Sequence, residues 1–151
     1  MFLVRTTTTR RWLWALCVWT ATCVATSAQP ASRLIVDQWR VEDGLPQNTV
    51  TSIAQDARGY LWIATRKGLA RFDGARFEQV DRVGDIDIGN LRLTTVLPEP
   101  GGDLWVGTYG SGVLRISGDR VVRYGADEGV PDPVVWDLYR DREGVVWLAS
   151  S

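Results

Sequence analysis

Gly59-Tyr60-Leu61-Trp62-Ile63 recurs as Gly102-Asp103-Leu104-Trp105-Val106 and again as Gly144-Val145-Val146-Trp147-Leu148. The three tryptophans stand 43 and 42 residues apart. That period is the size of one β-propeller blade, and the apolar spacing that helical repeats of similar length would need is missing.

Each copy is embedded in the same alternation of short apolar runs and turns. In the first, Val50–Gln55, Tyr60–Thr65, Leu69–Phe72 and Arg76–Val80 read as strands, separated by Asp56–Gly59, Arg66-Lys67-Gly68 and Asp73-Gly74. Asp-Gly between apolar runs is a strong two-residue hairpin signal, because both central positions need positive φ. The second copy gives Thr94–Leu97, Asp103–Thr108, Val113–Ile116 and Arg120–Tyr124, with one extra residue in Tyr109-Gly110-Ser111-Gly112. The third starts at Val134 and reaches Ser151 in or just after its second strand. The expected fold is therefore all-β, a partial propeller of four-stranded antiparallel blades. The second strand carries apolar residues on both faces, with Leu61 and Ile63 on one side and Trp62 and Ala64 on the other. Such a strand needs cover on both sides, which neighbouring blades supply. Trp62, Trp105 and Trp147 are accordingly expected in the core between blades.

Residues 1–28 follow the plan of a secretory signal: Arg5, Arg10 and Arg11, an apolar run Trp12–Ala25, and small residues ending at Ala28. The run is shorter than the roughly 20 residues that span a bilayer, and Thr20 and Thr22 interrupt it, so cleavage after Ala28 is expected. Thr9-Arg10-Arg11-Trp12-Leu13 resembles a twin-arginine signal, but two arginines before an apolar run are usually just the basic start of an ordinary leader. Cys17 and Cys23 both fall in this stretch, so the processed chain would hold no disulfide. Loss of the three arginines takes the net charge from −1 to −4, and nothing suggests nucleic acid or anionic lipid as partner. The chain has no histidine, which removes the commonest general base and metal ligand. No catalytic residue, metal site or cofactor is expected.

The segment before the first copy repeats as well, because Ile35–Pro46 aligns with Arg120–Pro131 at a constant offset of 85 residues. Trp39 falls on Tyr124, Asp43-Gly44 on Glu128-Gly129, and Pro46 on Pro131. Since Arg120–Tyr124 reads as an outermost strand, Ile35–Arg40 is expected to be one too, completing the last blade of a closed ring. The organisation expected is a signal peptide (1–28), a segment with that ring-closing strand (29–43), and propeller repeats over 44–151. Their boundaries are 44–86, 87–128 and 129–151.

The pattern Val50-x-x-Ile53-x-Gln55-Asp56-x-x-Gly59-x-Leu61-Trp62-Ile63-x-Thr65-x-x-Gly68-Leu69-x-Arg71-Phe72-Asp73-Gly74-x-x-Phe77 resembles the two-component regulator propeller repeat. Glu42-Asp43-Gly44-Leu45-Pro46-Gln47-Asn48 fits the same family, and the likeness covers residues 34–151. The second copy departs from it at Leu97-Pro98-Glu99-Pro100, where the first has Ala54-Gln55-Asp56-Ala57. The resemblance implies an exported, periplasmic sensor propeller, followed by a transmembrane helix and a cytoplasmic histidine kinase or diguanylate cyclase. On that reading the chain is the N-terminal fragment of a sensor. Its partners are the remaining blades and an unidentified small, polar or anionic ligand, and it meets the membrane only through a segment outside this sequence.

Meander geometry puts the loop entering the first strand and the loop joining the second and third on one face. Gln47, Asn48, Arg66, Lys67, Tyr109 and Ser111 are thereby the candidate ligand-binding residues, with donors suited to a polar or anionic molecule. Gly107-Thr108-Tyr109-Gly110-Ser111-Gly112 lacks phosphate-loop spacing and precedes a strand, so it reads as a hairpin turn. Two other classes stay open at this level: a protein-docking scaffold, or a propeller hydrolase or lyase whose acidic cluster lies in further blades.

Overall fold

The computed structural model describes residues 36–151. The expected signal peptide and its cleavage site lie outside the described residues. Strands β1 (Val50–Gln55), β2 (Leu61–Thr65), β3 (Leu69–Phe72) and β4 (Phe77–Val80) form one antiparallel meander. A small hairpin, β5 (Arg82–Val83) and β6 (Ile86–Asp87), leads to a second meander of β7 (Leu93–Pro98), β8 (Leu104–Thr108), β9 (Val113–Ser117) and β10 (Arg120–Tyr124). The third repeat contributes the pair β11 (Val135–Arg140) and β12 (Val146–Ser150). The first two repeats are four-stranded antiparallel blades, and the Asp73-Gly74 signal lies in a four-residue turn, 73–76, with positive φ at Gly74 alone.

The turn between the first two strands shows how the motif works. In the first repeat the Asp56 N–H donates to Tyr60 O at 2.9 Å and the Gly59 N–H to Asp56 O at 3.0 Å, while Gly59 takes a φ of +90° that disfavours side chains. The Asp56 carboxylate then accepts from the N–H groups of Arg58 and Tyr60 and from the Trp62 indole at 3.1 Å. Asp141 repeats this clamp on Glu143, Val145 and the Trp147 indole. In the divergent second copy Glu99 keeps the backbone turn, with bonds of 2.7 and 3.0 Å. Its longer side chain reaches instead to Arg140 of the third repeat at 3.0 Å. The sequence departure thus changes the side chain's partner and leaves the turn intact.

Neighbouring repeats share their cores. Ala64, Leu69 and Trp62 of the first pack with Leu93, Val96, Leu104, Val106, Leu114 and Ile116 of the second. Trp105 and Leu97 of the second pack with Val135, Leu138 and Val146 of the third. The first strands are also bonded to each other. A register irregularity at Val50/Ser52, repeated at Leu93/Thr95, turns Thr51 and Thr94 out of the ladder. Their hydroxyls donate to Leu93 O (3.1 Å) and Val135 O (2.5 Å) of the next repeat.

Two expectations concern what further blades would complete. Among the described residues, Val36–Arg40 are in no strand. They lead into a 3-10 turn, Val41–Asp43, closed by Gly44 at φ +110°, which matches the turn Ala126–Glu128 closed by Gly129 at +89°. The 85-residue correspondence therefore holds at this turn, and Trp39 packs on Phe72 at 5.5 Å and Phe77 at 6.2 Å. Trp147, expected in the core, is 60% exposed. It presents the face that, in the first two repeats, the following repeat covers.

Candidate functional site

The loops entering β1 and β7 and those joining β2 to β3 and β8 to β9 lie at one end of the sheets, because strands of a meander alternate in direction. Backbone bonds tie them together: the Arg66 N–H donates to Thr49 O at 3.1 Å and the Tyr109 N–H to Arg92 O at 2.8 Å. The six candidate residues are engaged differently on this face. Asn48 is engaged internally, its side-chain oxygen accepting the Val41 N–H at 2.9 Å. Gln47 turns its side-chain oxygen inward, where it is buried without a hydrogen-bond partner among the described residues. Ser111 is half-buried, and its N–H donates to the Thr108 hydroxyl at 2.9 Å. Arg66 and Lys67 are exposed.

Tyr109 belongs to a separate group at the second junction. Arg92 lies over its ring at 4.1 Å, and the Trp136 ring meets it edge-on at 5.7 Å. Trp136 stands where the earlier repeats carry Thr51 and Thr94, and it is 53% exposed. Its departure from threonine at that repeat position was the available sign, and the sequence reading passed over it.

Lys67 lines a cleft of about 390 Å³ with Pro46, Gln79, Asp81, Arg82, Asp87, Gly89 and Asn90. The connection between β4 and β7 builds most of it. Val83 and Ile88 of this connection are buried in the core shared by the first two repeats, which fixes its path. The floor is tight: a side chain on Gly68 would meet Gly89 O at 3.1 Å, and one on Gly89 would meet the Asp81 carboxylate at 3.0 Å. Polar residues Asp81, Arg82, Asp87 and Asn90 escaped sequence analysis because a charged connection between strands reads as solvated loop.

The opposite end of the sheets carries the aspartate turns. Burial alone would push the Asp56 carboxyl up, but the Trp62 indole and the N–H groups of Arg58 and Tyr60 outweigh it and hold the group below its ordinary value. The Trp147 indole, with backbone N–H groups, holds Asp141 down as well. These carboxylates organise turns. Among the described residues no group of His, Cys, Asp or Glu side chains is placed to hold a metal ion.

Residues 44–67 and 129–151 match the family model described as two component regulator propeller. A stretch of 36 residues is 53% identical to Histidine kinase P4 of Formosa agariphila, covering 24% of this chain and 3% of that protein. Among solved structures, the extracellular domain of a hybrid two component system from B. thetaiotaomicron is similar with a TM-score of 0.64 at 26% identity. The likeness covers 76% of this chain and 17% of that one. PorZ, a surface component of the type-IX secretion system of Porphyromonas gingivalis, is similar in fold, with a TM-score of 0.57 at 18% identity over 66% of this chain and 16% of that one. The chain thus spans a small part of the length of each of these proteins.

Proposed function

We propose that this chain supplies repeats of a periplasmic signal-input propeller in a transmembrane sensor, whose output is a histidine kinase or diguanylate cyclase. The observation that carries this reading is the likeness, over 76% of the chain, to the extracellular domain of a hybrid two component system. The family match at both ends of the described region supports it. The role is recognition, with no catalytic step assigned to these repeats. Their rigid shared cores hold loops at one end, and loops on a rigid scaffold are where recognition residues concentrate.

Two measurements test it. Residues 1–151 fused to alkaline phosphatase, a reporter active only outside the cytoplasm, should give an active enzyme, and an inactive fusion contradicts export. In-frame deletion of residues 36–151 from the host gene should abolish a signal-dependent change in transcription. A deletion strain whose transcription is unaltered under every condition contradicts the input role.

A further inference from the structure

The connection that enters the second repeat breaks the pattern of its counterparts. The first and third repeats are entered through the same short turn, Val41–Asp43 with Gly44 and Ala126–Glu128 with Gly129. The second is entered through the β5–β6 hairpin, and this substitution creates the 390 Å³ cleft. The hairpin is no loose excursion, because Val83 and Ile88 are buried and the Ile88 and Gly89 N–H groups both donate to Asp81 O, at 2.8 and 2.9 Å.

The cleft carries two cations, Lys67 and Arg82, and two carboxylates, Asp81 and Asp87. No oppositely charged pair among these four comes within 4.0 Å, whereas Arg71–Glu78, Arg115–Asp103 and Arg140–Glu99 all pair elsewhere at 3.0 Å or less. Asp87 instead accepts from Asn90 at 3.1 Å, and Arg82 reaches only Asp85 O at 3.5 Å. Charges of both signs line this wall without pairing to one another, although Arg82 and Asp87 stand opposite each other in the β5–β6 ladder, and they match a molecule that brings one charge of each sign. A single-charge ligand would satisfy one pair and be repelled by the other. The volume lies within the ordinary range for small-molecule sites, roughly 300–1,000 Å³. Gly89 contributes a bare floor beside the Asp81 carboxylate.

We propose that the cleft between the β5–β6 hairpin and the β2–β3 turn binds a small zwitterion of amino-acid to dipeptide size. Lys67 and Arg82 receive its carboxylate, and Asp81 and Asp87 its ammonium group. The inference rests on the input role proposed above and names the ligand class for it.

Calorimetric titration of the full chain with alanyl-alanine, its N-acetylated form and its C-terminal amide tests the proposal. Alanyl-alanine should bind saturably, and each single-charge form roughly tenfold or more weakly. Lys67→Ala should erase the preference for the free carboxylate and Asp87→Asn the preference for the free amine, with circular-dichroism melts unchanged. Gly89→Ala, which crowds the Asp81 carboxylate, should weaken alanyl-alanine in the same experiment. Equal or tighter binding of the acetylated form would mark an anion site and overturn the proposal. So would the absence of saturable binding of alanyl-alanine up to about 10 mM. If binding fails while deletion of 36–151 still silences the transcriptional response, the input role stands and this ligand class falls.

Discussion

Trp62 and Trp105 occupy the same repeat position and illustrate what one side chain contributes here. Each is half-buried on the face that meets the next repeat, and each is crossed by an arginine from the third strand: Arg71 lies 5.9 Å from the Trp62 ring and Arg115 lies 5.3 Å from the Trp105 ring. Trp105 also packs against Tyr124 at 5.4 Å. Since each keeps part of its surface in water, Trp105→Ala should cost about 2–3 kcal/mol, below the range for full burial. Exposed Trp147 should cost less, about 1 kcal/mol, on the same substitution, chiefly through the lost indole bond to Asp141. Urea denaturation followed by circular dichroism separates them, and equal costs would show that the repeats do not stack as described. Asp56 adds a pH dependence. Its folded-state carboxyl lies below the ordinary 3.8, so its contribution is complete above the unfolded value and is lost as the pH falls through the folded one. Unfolding free energy should therefore decline on acidification below about pH 4, and Asp56→Asn should flatten that decline. An unchanged slope in the variant would mean that other carboxylates dominate.

At the scale of strands and turns, the joints between elements explain which positions tolerate change. Gly112 sits at φ +72°, and a side chain there would run into Tyr124 O, while Gly110, at +110°, faces open space. Gly112→Ala should thus cost about 3 kcal/mol or more, and Gly110→Ala only the backbone strain of about 1–2 kcal/mol. Thermal melts of the two variants, with comparable losses at both, would contradict this reading. Thr51 and Thr94 bridge first strands of adjacent repeats, so replacing either with Val should cost about 1 kcal/mol through the lost hydroxyl bond. The eight strands of the two meanders were legible because glycine-bearing turns such as Asp73-Gly74 and Ser117-Gly118 punctuate runs of similar length, and a copy 43 residues on corrects any ambiguity in the first. The β5–β6 hairpin was not, since strands of two residues leave no periodicity. Its Gly84-Asp85 turn and the alternation of Val83, Ile86 and Ile88 are visible only in retrospect. The cleft was lost with it, so of its charged residues Lys67 alone was singled out. Gln47 and Asn48 look like free polar side chains in sequence, but the Val41 N–H donates to the Asn48 side-chain oxygen and the Gln47 side-chain oxygen is buried.

Across residues 36–151 most of the core is shared between repeats, with a smaller cluster of Leu45, Ile63 and Phe72 inside the first. The first and second repeats bury Leu69, Leu93, Val96, Val106 and Leu114 against one another, and the second and third bury Val113, Val135 and Leu138. The middle sheet is covered on both faces, the two outer ones less completely: Ile53 at one end is 61% exposed, whereas its equivalents Val96 and Leu138 are buried. A cooperative unit built this way opens from its less covered sheets inward. Residue-resolved hydrogen exchange of the full chain reads that order directly. Amides of β8 and β9, from Leu104 to Thr108 and from Val113 to Ser117, should exchange slowest, and those of β12, from Val146 to Ser150, at least about tenfold faster. Protection that is uniform across the three repeats, or greatest in β12, would contradict a stack of blades whose cores are completed by their neighbours.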